Sequence, residues 1–246
     1  MREMQIRGDS SARERAYDYI LGRILAGDWP GGTIVSELAL SKELGVSRTP
    51  VREAVRQLTG EGFLEENPSR GLAVATVTRS DIAELYELRE AIEVFAVGKA
   101  ARVRMSASDR GRLEGILGET DELRRSLEGS GEARLDVAGM QRFIQADLNF
   151  HTVLLHTAAN RRMLKLVNET RLLIRIFSIQ RGGHNAQQLK QIQAQHQAIL
   201  DSVLCGKSEE AQAILAEHIR LSGQERMEAF DEWERERSLG MASRMG

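Results

Sequence analysis

The chain has 246 residues with 34 Lys and Arg against 36 Asp and Glu, so it lacks the basic excess of a protein that coats nucleic acid without regard to sequence. A single cysteine, Cys205, excludes an internal disulfide, and no apolar run approaches the ~20 residues of a membrane span. The polar stretch Met1–Ser11 lacks the apolar core of a secretory signal, so the chain is expected in the cytoplasm, and its length is ample for two domains.

Apolar spacing predicts a first helix from Ser11 to about Ala26, with Ala16, Ile20, Leu21 and Ile24 on one side. Gly27-Asp28-Trp29-Pro30-Gly31-Gly32 ends it, and Thr33-Ile34-Val35 reads as a short extended segment. A second helix spans Ser36 to Leu44 and stops at Gly45, where a positive φ is cheap. Ser47 is the expected N-cap of a third helix reaching about Gly60 or Gly62. Phe63–Glu66, a turn over 67–71, and Leu72–Ala75 then read as strand, turn and strand, a two-stranded wing. After a short linker near Thr76–Arg79 the rhythm is helical throughout, with helices expected near 81–102, 108–127, 137–158, 161–180, 187–204 and 208–234. The predicted fold is therefore mainly α. A winged helix-turn-helix occupies residues 1–78, an all-α helical bundle residues 79–234, and a flexible tail residues 235–246.

The third helix carries the most specific pattern. Val51, Ala54, Val55 and Leu58 recur at helical spacing and bury one face, while Pro50 sits in the first turn, where its missing N–H costs nothing. Ser47, Arg48, Thr49, Arg52 and Gln57 occupy the free face. Hydroxyls and guanidinium groups at a helix N-terminus suit phosphate oxygens and guanine edges in duplex DNA. Arg56, one turn further on, reads as a backbone or solvent contact.

The run Gly45-Val46-Ser47-Arg48-Thr49-Pro50-Val51-Arg52-Glu53-Ala54, followed by Leu58, Glu61 and Gly62, resembles the N-terminal domain of the GntR family of regulators. Pro30-Gly31-Gly32-Thr33 fits the same pattern, and the resemblance spans about residues 11–76. It implies that Arg48, Thr49 and Arg52 contact DNA and that Arg70 and Gly71 at the wing tip enter the minor groove. Two positions depart from the family. Leu38 stands where many relatives have an arginine, and Ser41 where a small alanine is usual.

In the second domain four polar side chains fall on apolar helix faces. Asp147 and His151 are i and i+4 on a face with Phe143, Phe150 and Leu154. His196 lies among Ile192, Ile199 and Leu200, and His218 beside Ile214, Leu215 and Leu221. Burying such groups is costly unless they form a hydrogen-bonded cluster or hold a divalent metal, with zinc preferred and nickel, manganese or iron as alternatives. The region from about 80 to 225 resembles the FCD effector domain of FadR-type GntR regulators. Asp147, His151, His196 and His218 match its metal-binding members residue by residue, as do Asn149-Phe150-His151 and Gln195-His196-Gln197-Ala198-Ile199-Leu200. His156 and His184 fall outside this set and read as surface residues.

Arg89 shares a stripe with Ile82, Leu85, Ile92 and Ala96, so its guanidinium points inward and requires an anion. That anion is either an internal carboxylate or the carboxylate of a ligand, and the resemblance implies the effector pocket. Asn168, Arg171 and Arg175 are further candidates to line it. The expected protein is a homodimeric regulator of a short palindromic operator, in most relatives a repressor, controlled by a small carboxylic, hydroxy or sugar acid. Alternatives are a structural or sensed metal, an apolar ligand, and a helical metalloenzyme. The last is disfavoured because no spare carboxylate stands in an obvious general-base position.

Overall fold

A computed structural model describes the backbone of residues 11–67, 71–167 and 183–245, and the side chains of these except 67 and 237–245. The chain divides into two compact units, Met1–Val77 and Thr78–Gly246. Asn168, Arg171 and Arg175, the rest of the helix expected to reach 180, and Arg70 at the wing tip lie outside the described residues.

In the first unit, α1 (Ala12–Leu25) opens on a capping box. Ser11 Oγ accepts from Glu14 N, and the Glu14 carboxylate accepts from Ser11 N at 2.8 Å. Helix α2 (Glu37–Glu43) is capped by Ser36, and Gly45 takes φ +65° in the turn to α3 (Arg48–Gly60). Ser47 occupies the N-cap position of α3, but its side chain makes no capping hydrogen bond, unlike Ser11 and Ser36. Val51, Ala54, Val55 and Leu58 of α3 are buried, with Ala16, Ile20 and Ile24 of α1 among the buried residues opposite. Full burial of a side chain such as Leu58 contributes about 1.5–3 kcal/mol.

Strands β1 (Leu64–Asn67) and β2 (Gly71–Val74) pair antiparallel, with Leu64 opposite Val74 and Asn67 opposite Gly71. Residues 32–35 lie along the other edge of β2, bonded by Val35 N to Leu72 O and Val74 N to Thr33 O, each at 2.9 Å. Phe63, Leu64, Ala73 and Val74 close the core beneath α3. Ser41 is buried and donates to Leu38 O at 3.0 Å, so its hydroxyl is satisfied locally.

The second unit contains α4 (Arg79–Ala101), α5 (Ala107–Ser130), α6 (Val137–Thr157), a helical segment at 161–167, α7 (Ala186–Leu204) and α8 (Ser208–Met245). Thr78 with Asp81, and Asn185 with Gln188, form capping boxes at the starts of α4 and α7. Helix α8 continues to Met245 through the segment expected as a flexible tail; Arg235 Nε donates to Asp231 O within it.

Helices α4 and α8 pack closely. A Cβ at Gly98 would meet the Gln212 side chain at 2.5 Å, and one at Gly223 the Tyr86 ring at 3.0 Å. Leu123, Leu127, Met140, Phe143, Ile144, Leu189 and Ile192 form a core between α5, α6 and α7. Helix α4 touches α6, α7 and α8, which gathers side chains from all four at one place. No helix among the described residues is long and apolar enough to cross a membrane.

Candidate functional site

Asp147 and His151 from α6, His196 from α7 and His218 from α8 meet in the interior of the second unit. One ligand atom from each lies within 4.8 Å of all the others. His196 Nε2 stands 3.3 Å from His218 Nε2 and 3.5 Å from Asp147 Oδ1, and His151 Nε2 is 3.7 Å from the same Oδ1. Around an ion with bonds of about 2.1 Å, neighbouring tetrahedral ligands stand about 3.4 Å apart, so these separations suit a shared divalent ion. The three imidazoles are almost wholly buried, while Asp147 remains partly open. The His196 ring stacks on Phe150 with centroids 4.0 Å apart, which fixes its plane.

His151 supplies the sharpest test of that fit. Both of its ring nitrogens are buried, and neither has a hydrogen-bond partner among the described residues. Glu93 Oε2 lies 2.8 Å from Nδ1 but off the line of the N–H, so the contact is electrostatic rather than a formed hydrogen bond. An uncompensated buried nitrogen costs about 1–3 kcal/mol, and an ion on Nε2 removes that cost. His218 Nδ1 is 2.9 Å from Gln195 Oε1, an arrangement that orients the ring with Nε2 toward the cluster. Burial, and then the neighbouring His151, push the His218 pKa down to about 3, leaving the neutral imidazole that ligation needs. The residues present therefore fit a divalent metal.

Arg89 is 4% exposed, and its Nε donates to Glu93 Oε1 at 2.9 Å. Burial opposes its charge, but Glu93, Tyr86 and Asp147 outweigh it and raise the guanidinium pKa above its ordinary value. Arg89 thus has an internal carboxylate partner, and it also lies 5.0 Å over the Tyr86 ring. Glu93 joins Arg89 to His151 and stands in the position where sequence reading found no spare carboxylate. Its signal was available in the i,i+4 spacing from Arg89, but such pairs are usually solvated.

His184, expected at the surface, is buried. Its ring packs edge-on against Phe143 with centroids 4.7 Å apart, and Leu135 N donates to its carbonyl at 2.9 Å. Neighbouring glycines suggested an open loop, yet Gly183 is pressed against the Leu135 backbone, where a Cβ would approach to 1.9 Å. His156 is exposed, as expected.

On the first unit, Ser47, Arg48, Thr49 and Arg52 are exposed along one side of α3, and Arg56 is exposed one turn on. Arg52 Nε is 3.3 Å and Arg48 Nη2 3.8 Å from Glu37 Oε2, so one carboxylate on α2 faces both arginines. Leu38, beside Glu37, is half exposed. Gly71 is exposed with φ +80° at the start of β2, a conformation that an L side chain adopts only with strain.

Comparison with known proteins adds matches of family, sequence and fold. Residues 12–74 match the bacterial regulatory proteins of the gntR family, and residues 84–221 match the FCD domain. The chain is 29% identical over 202 residues, 82% of this chain and 83% of the relative, to the probable D-xylose utilization operon transcriptional repressor of Paenarthrobacter nicotinovorans. Its fold is similar to that of a GntR transcriptional regulator from Rhodococcus sp. RHA1, with TM-score 0.72, 23% identity, and coverage of 89% of this chain and 99% of that one. It is also similar to McbR/YncC of E. coli, with TM-score 0.70, 18% identity, and coverage of 91% and 99%.

Proposed function

The chain belongs to the GntR family of bacterial regulatory proteins and carries an FCD domain, and from that premise we propose that a small organic acid held at the Asp147–His151–His196–His218 centre controls its affinity for operator DNA. Like its relatives it is a transcriptional regulator and not an enzyme. The observation that carries the proposal is His151, buried at the convergence with neither ring nitrogen hydrogen-bonded among the described residues. Asp147 and the three histidines would hold a divalent ion, zinc by preference, which supplies positive charge and a ligation point for a carboxylate. The chain's own contribution is a preset cage of three imidazoles, one partly open carboxylate, and Arg89 beside it as an anion anchor.

In the first unit α3 is proposed as the reading helix. Ser47, Thr49, Arg48 and Arg52 would engage phosphates and base edges in the major groove, with Arg70 and Gly71 in the minor groove. The uncapped Ser47 hydroxyl supports this, because it is left for an external acceptor. A homodimer on a short palindrome completes the proposal, acting as a repressor in the cytoplasm. Leu88, Ala91, Ile92 and Phe95 support the dimer; they line one face of α4, where Phe95 is 61% exposed. The acid acts through its difference in affinity between two states of the dimer.

The Arg89–Glu93 pair supports a second reading, in which the ion is structural and the guanidinium is already neutralised. A thermal-shift experiment separates the two. Zinc at a hundredfold excess over its Kd stabilises by about 2.7 kcal/mol, roughly 5–10 °C for a unit of this size, and His151→Ala removes that shift. An organic acid that adds a further shift only with zinc supports sensing. A zinc shift with no response to acids favours the structural role, and no zinc shift at all refutes the metal centre.

A further inference from the structure

Leu38 departs from the family pattern, and the reading above leaves it unused. It is the second residue of α2 and is 50% exposed, with an aliphatic side chain that bonds neither phosphate nor ion. Its direction follows from its neighbours. Successive helical residues are turned by about 100°, and in α2 the buried Leu40 and Ser41 mark the side toward the core. Glu43 lies about 60° to one side of Leu40, and the Tyr19 hydroxyl of α1 donates to its carboxylate, so α1 is on that flank. Leu38 lies about 60° beyond Ser41 on the opposite flank, and the exposed Lys42 lies beside it.

Helix α3 is sided in the same way. Val51, Ala54, Val55 and Leu58 are buried on the side packed against α1, while Thr49, Arg52 and Arg56 are exposed on the other. Glu37, the residue before Leu38, bridges the two helices, with Oε2 3.3 Å from Arg52 Nε and 3.8 Å from Arg48 Nη2. One surface of the first unit, turned away from α1, thus presents Leu38 and Lys42 alongside the α3 arginines.

Guanidinium groups read acceptors, phosphate oxygens and guanine edges above all. A leucine on the same surface reads something else, because the apolar feature that marks a base pair in the major groove is the C5-methyl of thymine. We infer that Leu38 is a specificity-determining residue, whose side chain meets the methyl group of one thymine in each half-site, next to the bases that Arg48 and Arg52 reach. This rests on α3 as the reading helix and adds a base preference that the arginines do not supply.

Deoxyuridine tests it, since it removes the methyl and keeps the base pair. An operator is selected from random duplexes with the full-length protein, and its thymines are replaced by deoxyuridine one at a time. At one thymine per half-site the wild type loses about fourfold in affinity, the worth of one buried methyl group. Leu38→Ala binds the thymine and deoxyuridine forms of that site equally, and the salt dependence of its binding is unchanged because no phosphate contact is lost. Leu38→Met, which keeps an apolar side chain of similar reach, retains the preference. If no thymine in the operator responds to loss of its methyl, the Leu38 inference is overturned. It is also overturned if the response survives Leu38→Ala, which would assign the methyl to another group or to duplex shape. Arg52→Ala on the same operator keeps the two readings apart: weakened binding leaves α3 as the reading helix whatever Leu38 does, whereas undiminished binding removes that premise and the leucine contact with it.

Discussion

Replacing Glu93 with alanine separates a buried ion pair from ordinary packing. The Arg89 and Glu93 side chains are 4% and 1% exposed, and Nε and Oε1 are 2.9 Å apart. Glu93→Ala leaves a buried guanidinium without its anion and strips the carboxylate from beside His151. Orphaning one member of such a pair costs about 3–5 kcal/mol. For a unit the size of Thr78–Gly246, each kcal/mol lowers the melting temperature by about 2–4 °C, so the expected fall is roughly 6–20 °C. Arg89→Met with Glu93→Leu removes both charges and keeps the volume, and should recover most of the loss. The assay is calorimetric melting with urea titration in the presence of a chelator, so that metal binding does not contribute. A loss below about 1 kcal/mol for Glu93→Ala, or a double variant no more stable than the single, refutes the argument that Arg89 depends on Glu93 for neutralisation.

Acidification should weaken the metal-free protein. His184 and His218 take up protons near pH 6.5 when unfolded but only near pH 3 when folded, because burial opposes their charge. Their contribution is complete above pH 6.5 and is lost as the pH falls toward 3, with a slope of up to about 1.4 kcal/mol per pH unit for each; equal urea midpoints at pH 7 and pH 5 would contradict it. Arg52→Ala should weaken binding to an operator selected from random duplexes by about 1–3 kcal/mol per half-site and leave zinc binding unchanged. Unaltered DNA affinity would remove α3 from the reading role. Ala159 holds φ +52° just past α6, so Ala159→Gly should raise stability by about 0.5–1 kcal/mol, and a melting temperature that falls would show that this residue is not strained.

Most of the fold is legible in periodicity, because Val51, Ala54, Val55 and Leu58 or Phe143, Phe150 and Leu154 mark one helix face each. The four candidate ligands could be picked out for the same reason: a histidine among Ile192, Ile199 and Leu200 has no solvent to turn to. What escaped was polarity that tertiary contacts conceal. Glu93 looks like the solvated half of an i,i+4 pair until α6 and α8 cover it. His184 looks exposed because glycines flank it, whereas Gly183 serves close packing against Leu135. The Glu37 contact with Arg48 and Arg52 spans a helix boundary, so no local spacing announces it.

That contact bears on how the protein, on the proposed reading, would search a genome. To grip any duplex, Arg48 and Arg52 must exchange the Glu37 carboxylate for a phosphate or a base edge. On random sequence the exchange is close to even, one anion for another, and residence is short. On the operator, base edges add what phosphates alone do not, and the exchange becomes favourable. An acidic side chain on α2 then acts as a discriminator, lowering affinity for the millions of decoy sites more than for the target.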